Sequence, residues 1–166
     1  MFAPKPISGD SVSGALAKAE RYRLLNEPHE AESICLDILG VDPRNQQALV
    51  SLILALTDQI PSATRACNEA LARVKQLDTG YDRAYYEGIV WERRAKARFA
   101  GGQGASEYVY DWIVRALELY AQAEELRPAG NDDAVLRWNA CVRFLNEHKE
   151  LEPRPSEAVA EPLLLE

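Results

Sequence analysis

The stretch that decides the fold reads Ala116-Leu-Glu-Leu-Tyr-Ala-Gln-Ala-Glu-Glu-Leu-Arg-Pro128. On a helix, Ala116, Tyr120 and Ala123 would share one face, because side chains three and four residues apart are neighbours. The small side chain of Ala116 would allow another helix to approach closely. Pro128 ends the helix, since proline has no N–H to donate. The stretch therefore predicts a helix that packs tightly against a partner helix.

The same spacing occurs far upstream, at Ala31, Cys35, Ile38 and Pro43. Both segments resemble the second helix and exit turn of a tetratricopeptide repeat (TPR), an αα-hairpin of about 34 residues. The resemblance covers residues 11–149. It implies an all-α fold, a right-handed superhelix (a TPR-like solenoid) of about three hairpins followed by a C-terminal capping helix.

Apolar periodicity along the chain predicts seven helices. The interval of 50 residues between Ala66 and Ala116 is longer than one repeat. We therefore expect the fifth and sixth helices to form a long antiparallel hairpin that projects past its neighbours. The predicted helices span about 11–25, 29–40, 46–59, 63–77, 82–100, 105–127 and 132–149.

Three parts are predicted along the chain: a flexible N-terminal arm over 1–10, the repeat domain over 11–149, and a disordered, proline-containing tail over 150–166. The tail is acidic, with five glutamates against one arginine, and it finishes in Leu163-Leu164-Leu165. Either these leucines stay in solvent, or they dock in a groove of the same molecule or of a neighbouring one.

Composition argues against several classes of protein. The net charge of -7 comes largely from the tail, so the folded body offers no electrostatic field that would gather nucleic acid. No apolar run approaches the roughly 20 residues that a membrane-spanning helix needs, and the N-terminus lacks the apolar centre of a signal peptide. The three cysteines are far apart in sequence and odd in number, which favours reduced thiols and a cytoplasmic location.

The sequence contains no recognisable catalytic or metal-binding motif. His29 and His148 are its two histidines, and neither belongs to a zinc motif. The glycine-rich run at 101–104 lacks the Gly-Lys-Ser/Thr of a phosphate-binding loop. We therefore expect no enzyme activity, no catalytic residue, no metal and no cofactor.

The resemblance implies that a peptide or protein segment binds in the concave groove lined by the first helix of each hairpin. The Lys and Asn clamp with which some members of the family hold a terminal carboxylate is absent here. By position in the repeat, the candidate groove residues are Leu16, Glu20, Arg23, Ser51, Ala55, Tyr85, Ile89 and Glu92.

A dense basic cluster lies near the tip of the predicted long hairpin. It comprises Arg93, Arg94, Lys96 and Arg98, with aromatic residues around it. One interpretation is an amphipathic helix with a solvated basic face. The other is a docking site for an acidic segment, because the planar guanidinium of arginine can bond a carboxylate in two places.

Taken together, these patterns predict an adaptor or scaffold that binds a protein or peptide partner through the groove and the long hairpin. Two alternatives stay open: a non-catalytic subunit of a larger assembly, and an enzyme or small-ligand binder with a site between hairpins. Self-association is also left open.

Overall fold

The computed structural model describes residues 2–61, 64–102, 106–151 and 153. Within these ranges the secondary structure is helical, with no strand, which confirms the all-α class. A 3-10 turn, Gly9–Ser11, precedes seven α-helices close to their predicted bounds. The helices are α1 Val12–Leu24, α2 Pro28–Val41, α3 Gln46–Asp58, α4 Thr64–Val74, α5 Gly80–Ala100, α6 Ser106–Leu126 and α7 Asp133–Glu147.

Local sequence signals set where several helices begin. The side chain of Asn45 accepts a hydrogen bond from the Ala48 N–H (2.9 Å), and Thr79 Oγ1 accepts one from the Asp82 N–H (2.9 Å). Such caps satisfy backbone donors that the first turn leaves unpaired. Pro28 opens α2, where its missing N–H has no cost. As a result α1, α3 and α5 begin at residues 12, 46 and 80, each 34 residues after the one before.

The helices pack mainly against their neighbours in the chain. In addition, α1 contacts α3, and α3 contacts α5, so these three helices form a row. The last helix packs on α6 and also reaches α5, where the Phe99 and Phe144 rings meet edge to face with 5.4 Å between centroids. None of the helices in the described ranges is long and apolar enough to cross a membrane.

The two sets of residues whose spacing predicted tightly packed helices are both buried. Ala116, Tyr120 and Ala123 are 0% exposed, as are Ala31, Cys35 and Ile38. The first set lies in the core of the α5–α7 region, and Cys35 belongs to the core of α1–α4. The spacing of small and large side chains therefore predicted the packing faces correctly.

Two features near the C-terminus differ from the sequence prediction. The apolar spacing in the sequence predicts a core seam on α7 made of Val135, Trp138, Val142 and Leu145. Leu145 does pack against the core, but Trp138 is 39% exposed, whereas Ala134 and Cys141 are fully buried. The most buried positions of the helix are therefore held by small residues, while Phe144 and Leu145 pack partly buried against the same core. Leu151 was assigned to the tail, yet it is buried against the second core. Apart from 150, 151 and 153, the predicted tail lies outside the described residues.

Candidate functional site

A cleft of about 560 Å³ lies between α1 and α3 and reaches α5. We call it the groove. Four residues supply apolar surface to it: Leu16, Val50, Leu54 and Tyr86. Polar side chains line the rest of it: Glu20, Arg23, Gln46, Gln47 and Ser51. The groove therefore combines apolar surface with hydrogen-bond donors and acceptors, a composition that suits a peptide segment.

An ion-pair triad fixes the row of helices beside the groove. Arg23 of α1 donates to Asp58 of α3 over 3.0 Å, and Arg93 of α5 donates to the other oxygen of the same carboxylate. Arg93 also donates to Thr57 Oγ1 at 2.7 Å. The three charged side chains are 19–26% exposed, so solvent screens these pairs only in part. The triad links α1, α3 and α5, with 35 residues between successive members.

The structure brings part of the predicted groove together. Leu16, Glu20, Arg23 and Ser51 do line it. Ala55 does not line it, because it is fully buried in the core.

The three candidates on α5 do not line the groove either. Ile89 and Glu92 are each 2% exposed, inside the protein. Tyr85 instead packs among other tyrosine rings, with centroids 5.1 Å from Tyr86 and 6.1 Å from Tyr120. Tyr85 and Glu92 were wrongly placed by a shift of one position in the repeat.

The physical reason is the helical register. Counting 34 residues from Ser51 and Asp58 gives Tyr85 and Glu92, whereas counting 35 gives Tyr86 and Arg93. The structure follows the second count, since Tyr86 lines the groove and Arg93 contacts Asp58. One residue rotates a side chain by about 100° around a helix, which carries it from the groove into the core. The charge pattern Arg23–Asp58–Arg93, spaced by 35, was the signal that could have revealed this register.

The basic cluster does not form a single surface. Arg93 reaches toward α3, as described. Arg94 stacks instead on two indole rings, 5.2 Å from the Trp91 centroid and 4.1 Å from that of Trp112. Lys96 donates to Glu92 over 2.6 Å. Consecutive positions on a helix point in different directions, so residues that cluster in sequence are separated around α5.

Arg94 and Arg98, one helical turn apart, do share a smaller cleft of about 260 Å³. Cys67 of α4 and Trp112 of α6 also line this cleft. Burial raises the pKa of the Cys67 thiol, although the nearby charge of Arg94 opposes that shift. The thiol is therefore less ionised than an ordinary cysteine and is a poor candidate for a nucleophile.

A second charged network lies inside the protein at Glu92. Its carboxylate accepts hydrogen bonds from Tyr120 Oη (2.6 Å), from Lys96 (2.6 Å) and from Arg137 of α7 (3.5 Å). Burial, then the Glu92 charge, raises the pKa of the Tyr120 phenol well above its ordinary value. For Arg137, burial is the largest single influence and lowers the pKa, but the Glu92 charge together with Tyr120 and Tyr85 raises it by more, so the net shift is upward. The network links α5, α6 and α7, and the Glu92 carboxylate has all its partners inside the protein. Its role is therefore to stabilise the packing of these helices.

Among the described residues, the histidines and acidic side chains do not assemble into a metal centre. The His148 ring packs against Phe99 at a tilt of 57°, with 4.4 Å between centroids, and contacts Glu150 through Nδ1 at 3.2 Å. His29 is exposed in the first turn of α2. Across the part of the chain that the structure describes, no group of three His, Cys, Asp or Glu side chains could hold a metal ion.

Comparison with known proteins returned no match: no family model, no curated protein and no solved structure is significantly similar to this chain.

Proposed function

We propose that this chain is a protein-interaction adaptor that binds a peptide or protein segment in the groove between α1, α3 and α5. The observation that carries the proposal is the groove itself, an open cleft with apolar surface from Leu16, Val50, Leu54 and Tyr86 beside exposed polar groups. An extended or helical segment presents both kinds of group to a partner. A rigid row of helices can therefore recognise it without prior rearrangement.

A TPR-like solenoid is the architecture that this proposal uses. Three observations support it. The row-forming helices begin at intervals of 34 residues, close to one repeat. Each contacts the next member of the row. The triad of Arg23, Asp58 and Arg93 repeats at intervals of 35 residues, which places corresponding positions side by side.

The chemistry of the groove indicates the class of partner. Glu20 is exposed, while Arg23 already bonds Asp58, so the groove carries little net charge. The side-chain amide of Gln47 and the hydroxyl of Ser51 can bond backbone amides of a bound segment, whereas the Gln46 amide already donates to the Arg44 carbonyl and accepts from the Asp78 N–H. We therefore favour a neutral, partly apolar segment. The basic residues of α5 play no part in this proposal, since Arg93 and Lys96 bond acidic groups of the protein itself.

The test compares two clefts on the same molecule. Ser51→Trp would fill the groove. Ser33→Trp adds the same bulk to a separate cleft of about 370 Å³ between α2 and α4. Peptides that tile the proteome of the source organism, displayed on phage, are selected on the wild-type chain and then measured on both variants.

We expect peptides that bind the wild-type chain and the Ser33→Trp variant but not the Ser51→Trp variant. Circular dichroism on each variant establishes that it is folded. Retention of every selected peptide by Ser51→Trp would contradict the groove proposal, as would a selection that yields no binders.

A further inference from the structure

The smaller cleft of about 260 Å³ lies where the turn after α3 meets α4, α5 and α6. It shares no lining residue with the groove, so it is a separate site on the molecule. No carboxylate belongs to the described residues that line it. Its lining is apolar on several sides and positively charged on one, and it includes Ile60, Pro61, Ala97, Trp112, Arg94 and Arg98.

Arg94 is held in this cleft by two indole rings. Its guanidinium carbon lies 5.2 Å from the Trp91 ring centroid and 4.1 Å from that of Trp112, and the two rings are 6.4 Å apart. Such cation–π contacts hold a guanidinium through its faces, leave the N–H donors at its edges available and do not cancel its charge. Among the residues that the structure describes, none supplies a carboxylate to Arg94, whereas the neighbouring Arg93 bonds Asp58.

The carboxylates on the surrounding elements have partners of their own. Three of them contact arginines other than Arg94, namely Asp58, Glu69 and Glu87. Asp111 and Arg98 also interact with other groups of the protein. The N-terminal end of α4 and the C-terminal end of α5 both border the cleft, and their helix dipoles have opposite signs there. Within the described ranges, Arg94 is therefore the cation at this cleft whose charge a ligand can still neutralise.

We propose that this cleft binds a small organic acid, with the carboxylate at the edge of Arg94 and an apolar group against Ile60, Ala97 and Trp112. A carboxylate carries one charge and two oxygen atoms, which match two N–H groups of a single guanidinium. The cleft is smaller than the roughly 300–1,000 Å³ of sites for drug-sized ligands, so the acid is smaller than those ligands.

A titration of the full chain with a defined acid tests the site. The probe is 3-methylbutanoate, a branched acid, added at constant ionic strength, and its amide is the uncharged probe of nearly the same shape. The readout is the indole N–H signal of Trp112 in a ¹⁵N spectrum, with Trp138 on α7, outside the cleft, as the internal reference. Arg94→Met removes the charge. Arg115→Met is the matched control, because Arg115 is on α6 near Trp112 but does not line the cleft.

We expect the acid to shift the Trp112 signal to saturation in the wild-type chain and in Arg115→Met. The dissociation constant should be of the order of millimolar, as for other ligands with so few atoms. Arg94→Met should raise it at least about tenfold. Arg94→Lys, which keeps the charge but cannot bond a carboxylate in two places, should raise it less. Circular dichroism checks that each variant is folded.

Four results would overturn the proposal. The first is a Trp112 signal that the acid does not shift to saturation, and the second is an equal shift with the amide. The third is an unchanged dissociation constant in both Arg94 variants. The fourth is tighter binding of another anion than of the acid. If that anion is inorganic phosphate, the cleft is a phosphate site, and if it is N-acetylglutamate amide, the carboxylate comes from a protein side chain.

Discussion

Gly88 and Tyr120 show how a single missing methyl group sets the distance between two helices. Tyr120 of α6 is fully buried, and its ring lies directly over Gly88 of α5. A Cβ at position 88 would lie 2.6 Å from the nearest ring carbon, closer than atoms can pack. The ring cannot easily move away, because its hydroxyl is bonded to Glu92. At this contact glycine is therefore required for its size.

The change Gly88→Ala should destabilise the protein by roughly 1–3 kcal/mol, the usual cost of overpacking a filled core. Elsewhere in a helix the same change would stabilise by about 1 kcal/mol, because alanine has the higher helix propensity. Gly14→Ala in α1 is the matched control, since no atom lies within 4 Å of its Cβ position. Chemical denaturation should show a lower midpoint for Gly88→Ala and a higher one for Gly14→Ala than for the wild-type protein. Equal shifts of the two midpoints would refute the close approach.

The hydroxyl of Tyr120 also stabilises the protein, because it donates a hydrogen bond to Glu92. Tyr120→Phe keeps the ring but removes the donor to Glu92, whose carboxylate is 2% exposed. A buried charged acceptor that loses one partner typically costs about 1–3 kcal/mol, and Lys96 and Arg137 remain to limit the loss here. We expect a lower urea midpoint with unchanged helicity. A midpoint equal to that of the wild-type protein would mean that the two cations alone satisfy Glu92.

At the scale of elements, the sequence predicted each helix but not how neighbouring helices align. Helix starts depend on local signals such as Asn45 and Thr79, whose side chains cap the residues that follow them. Alignment depends on residues one repeat apart. Arg93 was placed in a solvated or docking cluster because its sequence neighbours are basic, whereas its partner, Asp58, is 35 residues away.

The triad gives a prediction for the row of helices. Asp58→Asn removes the charge that Arg23 and Arg93 share, and should cost roughly 1–3 kcal/mol, between the values for exposed and fully buried pairs. The control is Arg44→Ala. It breaks a pair with Asp78, also about one repeat away, whose side chains are 83% and 51% exposed. That loss should be at most about 1 kcal/mol. If both variants show the same denaturation midpoint, the triad has no special role in holding the row.

For the whole molecule, the resemblance of two short segments to a repeat was enough to anticipate an all-α chain of seven helices in the described ranges. It was not enough to place the site. The face that a helix turns to solvent changes with a register shift of one residue, as Tyr85 and Tyr86 show. On α7, the buried face is chosen by the network at Glu92, which holds Arg137 inward and leaves Trp138 on the side. Such choices depend on long-range contacts that apolar periodicity does not record.

Because of the buried thiols, the free energy of unfolding of the domain should fall as the pH rises above neutrality. Burial raises the pKa of Cys141 from 9.0 to about 12 and that of Cys35 to about 11. The folded protein therefore keeps these protons at a pH where the unfolded chain has released them, so stability is complete below about pH 9 and falls as pH rises toward 11 and 12. Each group can contribute a slope of at most about 1.4 kcal/mol per pH unit.

We expect the urea midpoint to fall from about pH 8 to about pH 9.5, a range in which thiols of the unfolded chain release protons while most of its tyrosines, with a pKa of about 10, still keep theirs. Cys141→Ala removes one of the three buried thiols. Its midpoint at neutral pH reports the change in packing, and the slope above that pH should be shallower than in the wild-type protein because one fewer proton is released on unfolding. A midpoint that is flat over this range, or a slope that Cys141→Ala leaves unchanged, would show that the Cys141 thiol ionises as readily in the folded domain as in the unfolded chain.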